Sequence, residues 1–177
     1  MIEEYHQAFS NGADYSAEKL EEKYPYVNQS LVSLYFEGSK PFYGFYDVDG
    51  NGVDELFIGY ETVMGYEYKI VDVLTYDTEN GLIRNIGEGE VFSVNAGSFV
   101  YDNGMIYNIK ADNVARFYRI SSDGYHLELI KTYTLVKNHD KRFYFNDTEM
   151  LDGEEFDKML REQGKEVPSE WTPWDEG

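Results

Sequence analysis

Cysteine is absent from this 177-residue chain, and histidine occurs only three times. The first absence excludes disulfides, thiolate metal sites and cysteine nucleophiles. The three histidines, His6, His126 and His139, are too scattered for the paired spacing of a zinc site. Basic residues are also scarce, with 15 Lys and Arg against 34 Asp and Glu and a net charge of −19. Such a field repels nucleic acid and anionic lipid surfaces, which bind proteins through Lys and Arg. It attracts cations and basic partners. No apolar run approaches the ~18 residues of a membrane span, so this region is not expected to insert into a membrane. The start, Met1-Ile2-Glu3-Glu4-Tyr5-His6, lacks the basic and apolar regions of a signal peptide. The expectation is either a cytosolic protein or a mature region without its export signal. No P-loop, G-x-S-x-G or G-x-G-x-x-G occurs. Carboxylates such as Glu61, Asp72, Glu88 and Glu90 are too abundant for any pair to indicate acid–base chemistry, so a non-catalytic protein is expected.

What the chain has in excess is aromatic residues: 17 Tyr, 11 Phe and 2 Trp, within a hydrophobic content of 42%. A disordered acidic chain would be poor in these. The length suits one domain over residues 1–177, and the Tyr and Phe excess favours strands. The expected class is α+β, mainly an antiparallel β meander. A helical lead spans residues 1–40, a β core 41–146, and a C-terminal helix and tail 147–177.

In the lead, Ile2, Tyr5, His6 and Phe9 fall on one helical face, which Asn11-Gly12 ends. Ser16 is a candidate N-cap for a second helix stopped by Pro25, and Asn28 for a third with Leu31, Leu34 and Tyr35 inward. After Pro41, apolar runs alternate with turn signals: Asn51-Gly52, Asn80-Gly81, Asn103-Gly104, Asp123-Gly124 and Asn138-His139-Asp140. These supply the positive φ angles of hairpin turns, and successive hairpins give a meander. Alternation places Leu127, Leu129, Lys131 and Tyr133 on one face of a strand over His126–Val136. Gly87-Glu88-Gly89-Glu90 reads as an acidic turn. Asp152 and Glu155 form a capping box for the last helix, with Phe156, Met159 and Leu160 inward and Gly164 at its end. The tail from Pro168 to Gly177 reads as irregular. Its Trp171 and Trp174 either dock on the core or offer stacking faces to a sugar or a partner protein.

The strongest chemical signal is Asp47-Val48-Asp49-Gly50-Asn51-Gly52-Val53-Asp54-Glu55. Oxygens recur at every second residue of a glycine-rich loop that runs into an apolar strand. Ca²⁺ takes six to eight oxygen ligands, and such a loop presents them from positions 1, 3, 5, 7 and 9. The candidate ligands are therefore Asp47, Asp49, Asn51, the Val53 carbonyl and Glu55. Asp54 should point outward. Gly50 and Gly52 let the chain curl around the ion. A hairpin turn alone needs one Asn-Gly or Asp-Gly, not three further carboxylates that repel one another without a cation. Position 12 is Ile58 within a strand, so the loop is not an EF-hand. Three carboxylates without a bidentate position-12 ligand fit the affinity of extracellular modules, about 10⁻⁴–10⁻³ M.

Asp47, Asp49, Asn51, Gly52, Glu55 and Leu56 in turn resemble the D-x-[DN]-x-[DN]-G-x-x-[DE]-L calcium loop of FG-GAP and VCBS repeats. Those strand–loop–strand units build integrin-α-type β-propellers; here the pattern occurs once. Tyr43 through Gly59 is also similar to the "Y-x-x-Y-D-I-D-G-N-G-x-x-E-L-I-I-G" core of exported proteins and lipoproteins of Gram-positive bacteria. This resemblance implies one Ca²⁺ and an extracellular or cell-surface location, and it implies no activity. The function expected is a calcium-stabilised surface or adhesion-type binding module for an unknown protein or glycan. The alternative is a carbohydrate-binding or carbohydrate-processing protein that uses an aromatic strip.

Overall fold

The computed structural model describes residues 2–11, 15–61, 68–86, 91–92, 97–110 and 112–174. The lead forms α1 (Ile2–Asn11), α2 (Ala17–Lys23) and α3 (Gln29–Phe36). The apolar stripe of α1 turns inward as its spacing requires, with Tyr5 and Phe9 buried together with Ala8. Asn28 caps α3 by accepting the Leu31 N–H at 3.1 Å. Ser16 holds the extended cap conformation at α2 but makes no side-chain cap bond. Gly12, the expected end signal of α1, lies outside the described residues.

Ten strands follow in order: β1 (Lys40–Tyr46), β2 (Glu55–Glu61), β3 (Tyr68–Asp77), β4 (Leu82–Asn85), β5 (Gly97–Tyr101), β6 (Met105–Ile109), β7 (Val114–Ile120), β8 (Leu127–Asn138), β9 (Lys141–Phe145) and β10 (Met150–Asp152). Helix α4 (Gly153–Arg161) starts on the Asp152–Glu155 capping box and buries Phe156. Two short strands, β11 (Glu166–Val167) and β12 (Thr172–Pro173), come from the tail. All pairings are antiparallel and mostly sequential, as a meander requires. The meander divides into two sheets, ordered β12-β1-β2-β3-β4 and β10-β9-β8-β7-β6-β5-β11. The acidic turn read at residues 87–90 falls at this division, outside the described residues.

Side-chain alternation sorts the core into three clusters and stacks the molecule in layers. Leu56, Ile58 and Leu74 face α1–α3, where Tyr5, Phe9, Leu31 and Val32 meet them. Phe57 and Val73 face the other way, onto Val100 and Ile106 of the second sheet. The far face of that sheet, with Tyr107, Phe117, Tyr133 and Tyr144, packs on Phe156 of α4. The order is helices, sheet, sheet, helix. One buried polar link sets the register of α1 on the first sheet. The Tyr5 hydroxyl donates to Asp72 Oδ2 at 2.8 Å and accepts the Asn28 N–H at 2.9 Å.

Two expectations change. The expected common face of Leu127, Leu129, Lys131 and Tyr133 does not exist, because β8 bulges. Phe117 pairs with Lys131 while Tyr118 pairs with Leu129, leaving Ile130 unmatched. Leu127 accordingly joins the cluster between the sheets, and Tyr133 joins the α4 side. The tail is also not simply irregular, since it donates an edge strand to each sheet. Val167 pairs with Val100, and Pro173 pairs with Phe42. Between them, Pro168 and Glu170 cross the first sheet at Gly44, where a Cβ would come within 2.7 Å of the Pro168 ring. Trp174 plugs the helical layer at 2% exposure, against Tyr5, Phe9 and Tyr43.

Trp174→Ala should therefore open a cavity between α1 and β1 and cost about 3–5 kcal/mol. Urea unfolding of the variant beside the parent chain checks this. An unchanged midpoint would show that the tail does not hold the helical layer.

Candidate metal centre

The candidate loop joins β1 to β2. Ladder pairs from Lys40↔Glu61 to Tyr46↔Glu55 bring its two ends together. Between them the chain turns through Gly50 at φ 74° and Gly52 at φ 86°, conformations that L side chains rarely adopt. The loop is held from inside by its own acidic and amide side chains. Asp47 accepts the N–H groups of Asn51 at 3.0 Å and Gly52 at 2.9 Å. Asp49 Oδ1 also accepts the Asn51 N–H, and its Oδ2 accepts the Asn51 side-chain amide at 2.9 Å. Asn51 Oδ1 takes the Val53 N–H at 2.7 Å. These bonds fold the backbone of the loop around the Asp47 and Asp49 carboxylates.

The result is a cluster in which Asp47, Asp49 and Glu55 each place one carboxylate oxygen within 4.8 Å of the others. Asp47 is half-buried, Asp49 exposed and Glu55 fully buried. No Lys, Arg or His pairs with any of the three among the described residues. Glu55 accepts the Val48 N–H of its own loop at 2.9 Å and the Thr75 hydroxyl of neighbouring β3 at 3.0 Å. Burial, opposed by the Val48 hydrogen bond and reinforced by the charges of Asp49 and Asp47, pushes its carboxyl up to about 7. Asp54 is exposed and outside the cluster, as its position in the loop required.

Three converging carboxylates, without a basic partner among the described residues, suit a hard divalent cation, and this is the fit that the donor set allows. Asp47, Asp49 and Glu55 supply charge, and each bonded oxygen retains a lone pair for a metal. The Asn51 amide lies beside Asp49, within the same turn.

Sequence reading missed the surroundings. The β5–β6 turn reaches the loop at Gly104, where a Cβ would stand 3.2 Å from the Val48 carbonyl oxygen. The β7–β8 turn reaches it at Gly124, where a Cβ would stand 3.0 Å from Asp49 Oδ2. Both glycines had been legible as turn residues, but nothing local announces which loop they touch. Also missed was Asp77, a buried carboxylate that organises the β3–β4 turn. It accepts the N–H groups of Glu79 and Asn80, the Asn80 side-chain amide and two guanidinium N–H groups of Arg84. The Asn80 amide, together with Arg84, holds it well below the usual carboxylate range. The Tyr125 ring lies 4.5 Å from the Arg84 guanidinium. This anchors the β7–β8 turn next to the loop. The Trp pair offers no stacking platform, because Trp174 is buried and Trp171 packs between the sheets.

The raised Glu55 carboxyl gives a signed pH dependence. The native state without metal keeps this proton up to about 7, whereas the unfolded chain loses it near 4.5. Between these values the native state binds more protons, so stability without metal should fall as pH rises through that window. Glu55→Gln should flatten the slope. Urea unfolding in chelator at several pH values measures it, and equal slopes in both proteins would show that Glu55 does not titrate in this window.

Compared with known proteins, the chain matches no protein-family model, no curated protein and no solved structure.

Proposed function

We propose that this chain is a non-catalytic, calcium-stabilised binding domain that works outside the cytoplasm, as a surface or adhesion-type module. One observation carries the reading: the carboxylates of Asp47, Asp49 and Glu55 converge within 4.8 Å, with no basic residue paired to them among the described residues. Ca²⁺ is the cation proposed, because every donor is oxygen and the loop supplies side-chain and main-chain oxygens together. Asp47, Asp49 and Glu55 would neutralise the ion, with the Asn51 amide oxygen and the Val53 carbonyl completing the protein's share. Mg²⁺ prefers a smaller octahedral set and keeps several of its waters. The role is structural. The ion removes the repulsion within the loop and fixes the β1–β2 hairpin against the β5–β6 and β7–β8 turns.

The location follows from affinity. A site with three carboxylates and no bidentate ligand at position 12 binds at about 10⁻⁴–10⁻³ M, so it fills outside the cell and stays empty in the cytosol. The helices add nothing membrane-spanning, since none among the described residues is long and apolar enough to cross a bilayer.

Thermal and urea melts in chelator, Ca²⁺ and Mg²⁺ test the reading. At about 10 mM, Ca²⁺ should stabilise the native state by about 1.4–2.7 kcal/mol, and Mg²⁺ by much less. Asp49→Ala should remove the Ca²⁺ increment. Identical melts in all three buffers, or equal destabilisation of the variant with and without Ca²⁺, would reduce the loop to a turn.

A further inference from the structure

A second site lies on the opposite face of the second sheet, away from the helical lead. A cavity of about 510 Å³ opens between β5, β6 and β11 on one side and the end of α4 on the other. Its volume is in the range of small-molecule sites, roughly 300–1,000 Å³. The floor is apolar, made by Phe99, Tyr101, Tyr107 and Leu160. Phe99 and Tyr107 stack at 5.8 Å and form one wall. Gly164 shapes the rim, for a Cβ there would collide with the Asp102 carboxylate.

The polar groups of this cavity are poorly explained by folding alone. Tyr101 and Tyr107 are 5% and 6% exposed, yet neither hydroxyl has a hydrogen-bond partner among the described residues. Both residues line the cavity, so a ligand that displaces water from their hydroxyls must offer acceptor atoms in its place. Burial raises both phenols, to about 12 for Tyr101, so they remain neutral donors at physiological pH. Arg161 and Lys165 line the same cavity and form no ion pair among the described residues, in a chain with more than twice as many acids as bases. Two carboxylates oppose them. Asp157 is bonded to Arg142 at 2.7 Å, and Glu166 turns to this side because its neighbour Val167 faces the other sheet.

Charge chooses the ligand by elimination. A simple anion would meet Glu166 and the field of a −19 chain, and a simple cation would meet Arg161 and Lys165. A neutral hydrocarbon would leave both tyrosine hydroxyls unpaired. We propose that the cavity binds a free α-amino acid with an apolar ring-bearing side chain. The carboxylate faces Arg161, Lys165 and the tyrosine hydroxyls, the ammonium faces Glu166 and Asp157, and the ring lies against Phe99 and Leu160. This site is independent of the metal loop, so it stands or falls apart from the calcium reading.

Calorimetric titration of the whole chain in Ca²⁺ tests it, with L-phenylalanine, 3-phenylpropionate, phenethylamine and glucose as probes. Phenylalanine should bind saturably. Phenylpropionate lacks the ammonium and phenethylamine the carboxylate, and each should bind at least about tenfold more weakly, the loss expected when a charged hydrogen-bonding group is removed. Arg161→Gln and Tyr101→Phe should each weaken phenylalanine about tenfold. Melting of both variants should match the parent, because the first residue is exposed and the second loses only a hydroxyl on a residue that lines the cavity. Failure of phenylalanine to bind saturably, equal binding by either analogue, tighter binding by glucose, or undiminished binding by both variants would overturn the proposal.

Discussion

Electrostatic repulsion within the β1–β2 loop is the constraint around which this end of the molecule is organised. Asp47, Asp49 and Glu55 converge within 4.8 Å, and Glu55 does so while fully buried. Water does not screen a buried carboxylate, so the loop is held instead by dense local bonding: backbone N–H groups on Asp47 and Asp49, and Val48 and Thr75 on Glu55. Those bonds order the loop but do not neutralise it. A divalent cation would do both, and its effect would extend beyond the hairpin, because the turns at Gly104 and Gly124 rest on the same loop.

The layered core explains why a hairpin loop can matter to the whole fold. Phe57 and Val73 bind the first sheet to the second, and Leu56, Ile58 and Leu74 bind it to the helices. The strand β2 therefore contributes to two cores, and it begins at Glu55. The tail has a comparable double role. Its two short strands complete an edge of each sheet, and its last described residue, Trp174, closes the helical layer. The β1–β2 loop and the tail thus join the same layers from different places. Asp77 adds a third tie at the loop end, where Arg84 pairs with it and lies against the Tyr125 ring, linking the β3–β4 turn to the β7–β8 turn.

Much of this was legible locally. Helix ends followed from caps, as at Asn28 and Asp152, because a cap bond forms within three residues of its own acceptor. Strands followed from apolar runs between Asn-Gly and Asp-Gly turns. The loop carboxylates were legible for the same reason, since their spacing sets where their oxygens point. What was not legible depends on partners distant in the chain. The bulge at Ile130 reverses the expected faces of β8 because pairing with β7 decides it. Thr75 meets Glu55 only once β2 and β3 pair, and the tail finds its edges only once the sheets exist.

The sequence by itself determined the α+β class, the antiparallel order of neighbours and the set of oxygens offered by the loop. These rest on periodicity, turn chemistry and spacing, which act over a few residues. Tertiary structure alone decided that the meander divides into two facing sheets, that Glu55 is buried beside two other carboxylates, and that Tyr101 and Tyr107 line a cavity beside α4. Those outcomes depend on which surfaces exclude water together, and no short stretch of chain contains that information.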